Sequence, residues 1–516
     1  MTFNVRFGMR ETFAGLACIL MMLSACSSPN NSELGDDEPP SVQGPALTGK
    51  FGPVLDWPLV ATHAALLPDG KVISWYSYDA IGSYRSIKDE DSPYHKSTLV
   101  DLWDPVTNTH EKVDNSSTDL FCAGWTLLND GRLLVAGGNL GTGWGSRDTN
   151  FFDSVTKLWA LGPQMQRGRW YPSVIKLPNS EVLIIGGTDR YGDNPIAEVY
   201  QLDGTLRQLS NASTATMNFN HWYPWIHVAP NGLTFLSGST NTLTYLNPSG
   251  SGSWGPLHQR DGDNRVWGSS VMYQPGKIIV IGGHGKNPTT TLIDITAGGD
   301  PVVSPGPNMF YGRSHLNATL LADGRIFVNG GNELETNDFD DSTSVYDSEI
   351  WNPRTKRWTL AARAKVPRNY HSTALLLPDA TVWTAGGGGC GECNFNHLNY
   401  EIYYPPYLFK KDGSEEFASR PTISAAPATI SYNQVFSVSS PEAASIRSAT
   451  FISLGAVTHS FNMNQRFLEL RIQSKGSDSL QLQAPTSPNL APPGYYMLFL
   501  INSEGTPSVA KILKIQ

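Results

Sequence analysis

The chain has 516 residues, too many for a single ordinary domain unless it is a large repeat architecture, and enough to bury a sizeable core. Its formal net charge is -9 and no run of Lys or Arg is longer than two, so it carries no electrostatic footprint for nucleic acid. Small or neutral partners are expected instead.

Residues 1–25 read as a lipoprotein signal peptide. Arg6 and Arg10 precede an apolar run from Phe13 to Leu23 that is too short to span a bilayer. It ends in Leu23-Ser24-Ala25-Cys26, which resembles the bacterial lipobox and makes Cys26 the lipidated first residue of the mature chain; ordinary cleavage without lipid is the alternative. Either way export is expected, with a lipid anchor to the outer membrane or cell surface in the first case. Residues 26–50 are rich in Ser, Asn, Pro and acids and read as a flexible tether.

Of five cysteines, Cys18 leaves with the signal and Cys26 takes the lipid, so Cys122, Cys390 and Cys393 remain. Cys390-Gly391-Glu392-Cys393 is either a redox pair or a local structural disulfide. An exported chain with no thioredoxin-like βαβ pattern favours the disulfide. Cys122 is then left without a thiol partner.

Beyond residue 50 the chain is short apolar runs broken by Gly, Pro, Asn and Asp, an all-β pattern. An eleven-residue phrase recurs seven times, starting at Leu67, Leu128, Leu177, Ala229, Tyr273, Leu321 and Leu377; LNDGRLLVAGG is typical. It reads as a strand end, a tight turn and a second strand closed by small residues. Outer-strand signals such as Leu102-Trp103-Asp104-Pro105 and Ile350-Trp351-Asn352-Pro353 lie between copies. Each repeat of roughly 50 residues is therefore about four strands, as in a kelch blade, and residues 51–412 are expected to form a seven-bladed β-propeller. A solenoid is the alternative, but neither end shows a polar cap.

A radial array turns a sequence column into a circle. The residue six before each phrase is Ala61, Cys122, Tyr171, Tyr223, Trp267, His315 and His371. A plain core column would hold Val, Ile and Ala; six of these seven are thiol, phenol, indole or imidazole. Such side chains either plug a channel entrance or build a site, and Tyr370 beside His371 supplies a second phenol. Two phenolates with imidazole make an O,N donor set suited to Cu(II). After Tyr404-Pro405-Pro406-Tyr407 a polar linker leads to residues 418–516, whose alternating short strands fit an immunoglobulin-like β-sandwich. Within it His459 sits near a strand end, and spacing alone assigns it no role.

Taken in order, Phe121-Cys122, Arg169-Trp170-Tyr171-Pro172, Arg368-Asn369-Tyr370-His371-Ser372, Gly386 to Cys393, and Thr458-His459-Ser460 with Asn464-Gln465-Arg466 resemble the galactose oxidase and glyoxal oxidase family. The resemblance covers about residues 50 to 516. It implies one copper held by Tyr171, Tyr370, His371 and His459. It further implies a thioether between Cys122 and Tyr171 carrying a protein-derived radical, Tyr370 as axial phenolate and general base, and a Cys390–Cys393 disulfide. The implied reaction is oxidation of primary alcohols or aldehydes, free or on glycans, with O2 giving H2O2, by a monomer. The family's stacked Trp over the radical ring has no counterpart in the matching loop, Gly187 to Asn194. Arg190, Tyr191, Trp267, His315 and Arg260 or Arg265 are the candidates for lining the pocket. A non-catalytic kelch lipoprotein binding glycans or wall components is the competing reading; a hydrolase has no nucleophile elbow or carboxylate pair to support it.

Overall fold

The computed structural model describes residues 44–77, 96–334, 339–389 and 395–516. The leader, Cys26 and the Cys390–Cys393 pair lie outside the described residues. Among those described, no helix is long and apolar enough to cross a membrane.

The fold is all-β. Each of the seven phrases forms a β-hairpin turn, and the chemistry of six is shared. In those six an Asp or Asn side chain (Asp69, Asp130, Asn179, Asn231, Asp323, Asp379) accepts from the backbone N–H two residues on, closing a local turn. The Tyr273 copy instead turns tightly at Pro275-Gly276, with a register shift beside it.

The hairpins are the inner halves of seven antiparallel sheets built in chain order. In the second, Gly124–Leu127, Leu133–Ala136, Thr149–Asp153 and Leu158–Leu161 lie side by side. The first two strands are wholly buried and the fourth is largely exposed, so inner strands read as continuous apolar runs and outer ones do not. The last sheet, built on Ser372–Leu376, Val382–Gly386 and Asn399–Tyr404, takes its fourth strand from the far end of the chain: Lys50–Phe51 pairs with Tyr404 and Tyr403. This corrects the expected tether boundary. Residues 45–50 are structured, with one helical turn at Pro45–Thr48, because their backbone completes that sheet and Pro45 is buried.

Residues 429–515 form a five-stranded and a three-stranded sheet around a core of their own that includes Phe436, Phe451, Leu480 and Leu498. One hairpin departs from them. Ala456–Thr458 and Phe461–Asn462 join the edge of the first sheet, with His63 opposite Thr458 and Ala65 opposite Ala456. Its base is pinned to three other sheets: Asn464 accepts from Thr126, Gln465 bridges Leu320 N–H and Ala318 C=O, and Arg466 donates to Val228 C=O.

A buried Arg clamps several sheets. Arg313 donates to the carbonyls of Gly330 and Asp347 and to Glu349, 2.7 Å away, both side chains being fully buried. Arg169 meets Gly186, Ile196 and Glu198 in the same way. Removing one member of a buried pair strands the other charge, so Glu349→Ala is expected to cost about 3–5 kcal/mol in chemical denaturation. A loss below about 1 kcal/mol, the range of exposed pairs, would show the clamp to be dispensable.

Candidate functional site

The column of residues six before each phrase is a continuous physical feature. Cys122, Tyr171, Tyr223, His315 and His371 all have left-handed backbones, φ between 45° and 69°. Non-glycine residues rarely adopt this region, and they hold it only where the surroundings over-determine it. Here the surroundings are neighbouring sheets. Tyr171 N–H donates to Cys122 C=O (2.8 Å), Tyr223 N–H to Tyr171 C=O (2.7 Å) and His315 N–H to Trp267 C=O (2.7 Å). Successive sheets are thus stitched together at the same point of the repeat, and their side chains gather on one side.

Tyr171 and His371 of this column, with the adjacent Tyr370, meet a residue from elsewhere. The hydroxyls of Tyr171 and Tyr370 are in hydrogen-bond contact, and His459 Nε2 lies 2.9 Å from the Tyr171 oxygen. The His371 ring stacks on Tyr370 with centroids 3.9 Å apart and lies 4.7 Å from His459. His459 occupies the tip of the hairpin described above, where it and Ser460 are also left-handed. Cys122 is a free, fully buried thiol beside Tyr171, near enough for each to perturb the other's ionisation.

The donor atoms are neutral and aimed inward. His371 Nδ1–H donates to Gly388 C=O at 2.6 Å, which leaves its Nε2 lone pair buried without a partner. The glycine run 386–389 makes this possible: every φ is positive, and a side chain on Gly388 would strike the Phe395 carbonyl. Burial pushes the His371 imidazole down to about 3. His459 is driven well below the usual histidine range by burial and then by His371. Burial, reinforced by Cys122 and Tyr370, pushes the Tyr171 phenol well above its ordinary value, and burial likewise raises the Cys122 thiol. Among the described residues no group of three His, Cys, Asp or Glu side chains is arranged to hold a metal ion. This donor set is half phenol and has no carboxylate.

The rings around Tyr171 alter one expectation. The Gly187 to Asn194 loop has no Trp, yet Trp170 stacks on Tyr171 with centroids 3.6 Å apart and planes 7° from parallel. Tyr223 stacks at 4.7 Å, and Trp222, 37% exposed, stands edge-on at 6.2 Å. Trp170 and Trp222 were legible as a second column, one residue earlier than the first, which also contains Phe121 and Tyr370.

The pocket candidates divide. Trp267 and His315 pack at the site, His315 4.9 Å from the Tyr370 ring and Trp267 6.4 Å from it. Arg265 does not line a pocket: it is buried and its guanidinium is spent on Gly282 and Thr289. Arg260 is likewise buried, donating to Gly238 and Asp263. Both act as sheet clamps because an unpaired carbonyl at a sheet edge needs a donor. Arg190 and Tyr191 stack on each other and line a separate polar groove of about 550 Å³ with Trp144 and Asp189.

Comparison with known proteins shows what the chain is similar to. Residues 97–251 match the model of the glyoxal oxidase N-terminus, and residues 420–515 that of the galactose oxidase-like early set domain. A galactose oxidase of Gibberella zeae is 32% identical over 499 residues, covering 90% of this chain and 70% of the relative. An aldehyde oxidase of Vitis pseudoreticulata is 28% identical, covering 77% and 82%. Among solved structures, a fungal alcohol oxidase in complex with copper superposes with a TM-score of 0.82 at 28% identity, covering 91% of this chain and all of that one.

The raised phenol gives a metal-free test. At pH 10, where an exposed tyrosine is about half ionised, Tyr171 is expected to keep its proton. Absorbance titration from pH 8 to 11 should therefore show the same tyrosinate rise in the wild type and in Tyr171→Phe. A rise near pH 10 that is missing from the variant would contradict the assigned direction.

Proposed function

The chain belongs to the galactose oxidase and glyoxal oxidase family, and from that membership we propose that it is an extracytoplasmic copper-radical oxidase of primary alcohols or aldehydes. On this reading RCH2OH and O2 give RCHO and H2O2. The observation that carries it is the meeting of Tyr171, Tyr370, His371 and His459 from three distant stretches, with the His371 Nε2 lone pair buried and unused.

These residues fit copper. Two phenol oxygens and two imidazole nitrogens are the donor types that Cu(II) takes, and both rings are uncharged and so able to ligate. Tyr171, Tyr370, His371 and His459 would hold the ion. Bound there, copper supplies one of the two oxidising equivalents that alcohol oxidation needs.

The protein's own groups do the rest. The Tyr171 ring holds the second equivalent, and a thioether to Cys122 together with the Trp170 stack spreads the unpaired spin and shields the ring from water. Trp170 thereby takes over from an adjacent position what the Gly187 to Asn194 loop lacks. Tyr370 Oη takes the substrate hydroxyl proton. Trp222 and Trp267 offer flat apolar faces beside these oxygens, suited to an aryl group or the apolar face of a sugar.

The seven sheets are read as blades of one kelch-type propeller closed by Lys50–Phe51, and residues 418–516 as an immunoglobulin-like domain. Export and lipid attachment at Cys26 rest on the leader sequence. The Cys390–Cys393 disulfide rests on the compartment and the family resemblance.

A peroxide-coupled screen of alcohols, aldehydes and polysaccharides with copper-loaded protein tests the function. One copper bound per chain and peroxide from at least one substrate are expected; no uptake and no peroxide would leave a binding module. Cys122→Ser should lose the mass deficit of two hydrogens that marks the thioether, along with most turnover. The same intact mass deficit in the variant would exclude Cys122 as the partner. Trp170→Ala removes a ring pair worth about 0.5–1.5 kcal/mol. Its turnover should fall up to about tenfold with copper affinity unchanged, and full activity would deny the stack a role.

A further inference from the structure

His63 lies on the first inner strand, outside the column and outside every motif that marks the family here. It is fully buried, stacked on Trp75 with centroids 5.4 Å apart and edge-on to Trp125 and Phe121. Both its ring nitrogens are engaged, and the partners determine where the protons lie.

The Cys122 backbone N–H, which can only donate, is 3.0 Å from His63 Nε2. Nε2 is therefore the unprotonated nitrogen and Nδ1 carries hydrogen. Nδ1 is 2.8 Å from Thr458 Oγ1, so it donates to that hydroxyl. The hydroxyl has one proton of its own, and the Thr62 carbonyl 3.0 Å away can only accept, so the proton points there. The remaining lone pair of Thr458 Oγ1 faces His459 Nδ1 at 2.5 Å. In this assignment His459 Nδ1 bears hydrogen and Nε2 is left as a bare lone pair, 2.9 Å from the Tyr171 oxygen. The opposite tautomer would turn the Thr458 proton to His459 and leave two acceptor oxygens facing each other at 3.0 Å inside the protein, which is unfavourable where no water can intervene.

We propose that His63 is a positioning residue: through Thr458 it fixes the tautomer and aim of His459, and through the Cys122 N–H it holds the left-handed turn that presents Cys122 to Tyr171. It joins the two halves of the site, the cysteine turn of the second sheet and the hairpin from the C-terminal region, by one unbroken chain of hydrogen bonds. The copper-binding consequence rests on the function proposed above; the tautomer consequence does not.

Three variants separate these roles. His63→Gln can still accept from Cys122 and donate to Thr458; His63→Leu can do neither; Thr458→Val keeps His63 and removes only the hydroxyl. The first readout uses metal-free protein labelled with 15N-histidine. The His459 resonances should report an Nδ1–H ring in the wild type and in His63→Gln, and a mixed or reversed tautomer in His63→Leu and Thr458→Val. The second is copper affinity by competition with a chromophoric chelator. Loss of an orienting partner should weaken binding at least about tenfold in Leu and Val, with Gln retaining most of the wild-type affinity. An unchanged His459 tautomer in Thr458→Val, or equal copper loss in Gln and Leu, would overturn the proposal by reducing His63 to a packing residue. Should His63→Leu fail to fold, Thr458→Val and His63→Gln decide the matter alone. If the wild type takes up no copper, the proposed function fails while the tautomer measurement still decides for or against His63.

Discussion

The site depends on a backbone constraint. At the same point of five repeats the chain turns through a left-handed residue, and at Tyr171, Tyr223 and His315 the N–H of that residue bonds to the carbonyl of its counterpart in a neighbouring sheet. A left-handed tyrosine or histidine is costly by itself. It persists because the inter-sheet bond, the buried Arg clamps and the Asx-closed hairpins all require the same geometry. The result is a rigid rim on which each repeat contributes one side chain to a common space. Chemistry is then a question of which residue each repeat places there.

Electrostatics at this rim is unusual in its neutrality. The four donor side chains are imidazoles and phenols, and burial opposes the charged forms of His371, His459 and Tyr171. Without a metal these three groups hold no buried charge. On the proposed reading a cation there would favour deprotonated phenols, and the neutral imidazoles would offer it lone pairs. The absence of a carboxylate leaves phenolates as the only anionic ligands among the described residues of the cluster, which favours an easily oxidised ring at the metal.

The hairpin carrying His459 shows how a repeat fold acquires a candidate ligand its own repeats do not supply. It adds two strands to the edge of the first sheet, and Asn464, Gln465 and Arg466 anchor its base to inner strands of three others. The side chains that hold it are polar, bonded to the Thr126 hydroxyl and to backbone groups, so its position follows from bond direction as well as from packing. His63 and Thr458 continue that logic to the ligand itself.

Much of this was written in local sequence. Hairpin turns follow from Asp or Asn at one position of each phrase, inner strands from unbroken apolar runs, and the column from counting six residues back. These are short-range consequences of backbone stereochemistry, and they hold wherever the repeat occurs. Cys122, Tyr171 and His371 could be found because they obey that count and Tyr370 because it adjoins His371, whereas His459 came only from resemblance, since no periodicity reaches a hairpin outside the repeats. The roles of His63 and Thr458, the stacking of Trp170, and the diversion of Arg260 and Arg265 into carbonyl clamps were decided by tertiary structure alone. Each depends on which group meets which in the folded chain, for His63 and Thr458 across 395 residues, and contact geometry is directional, so a sequence states the groups available while only the folded chain pairs them.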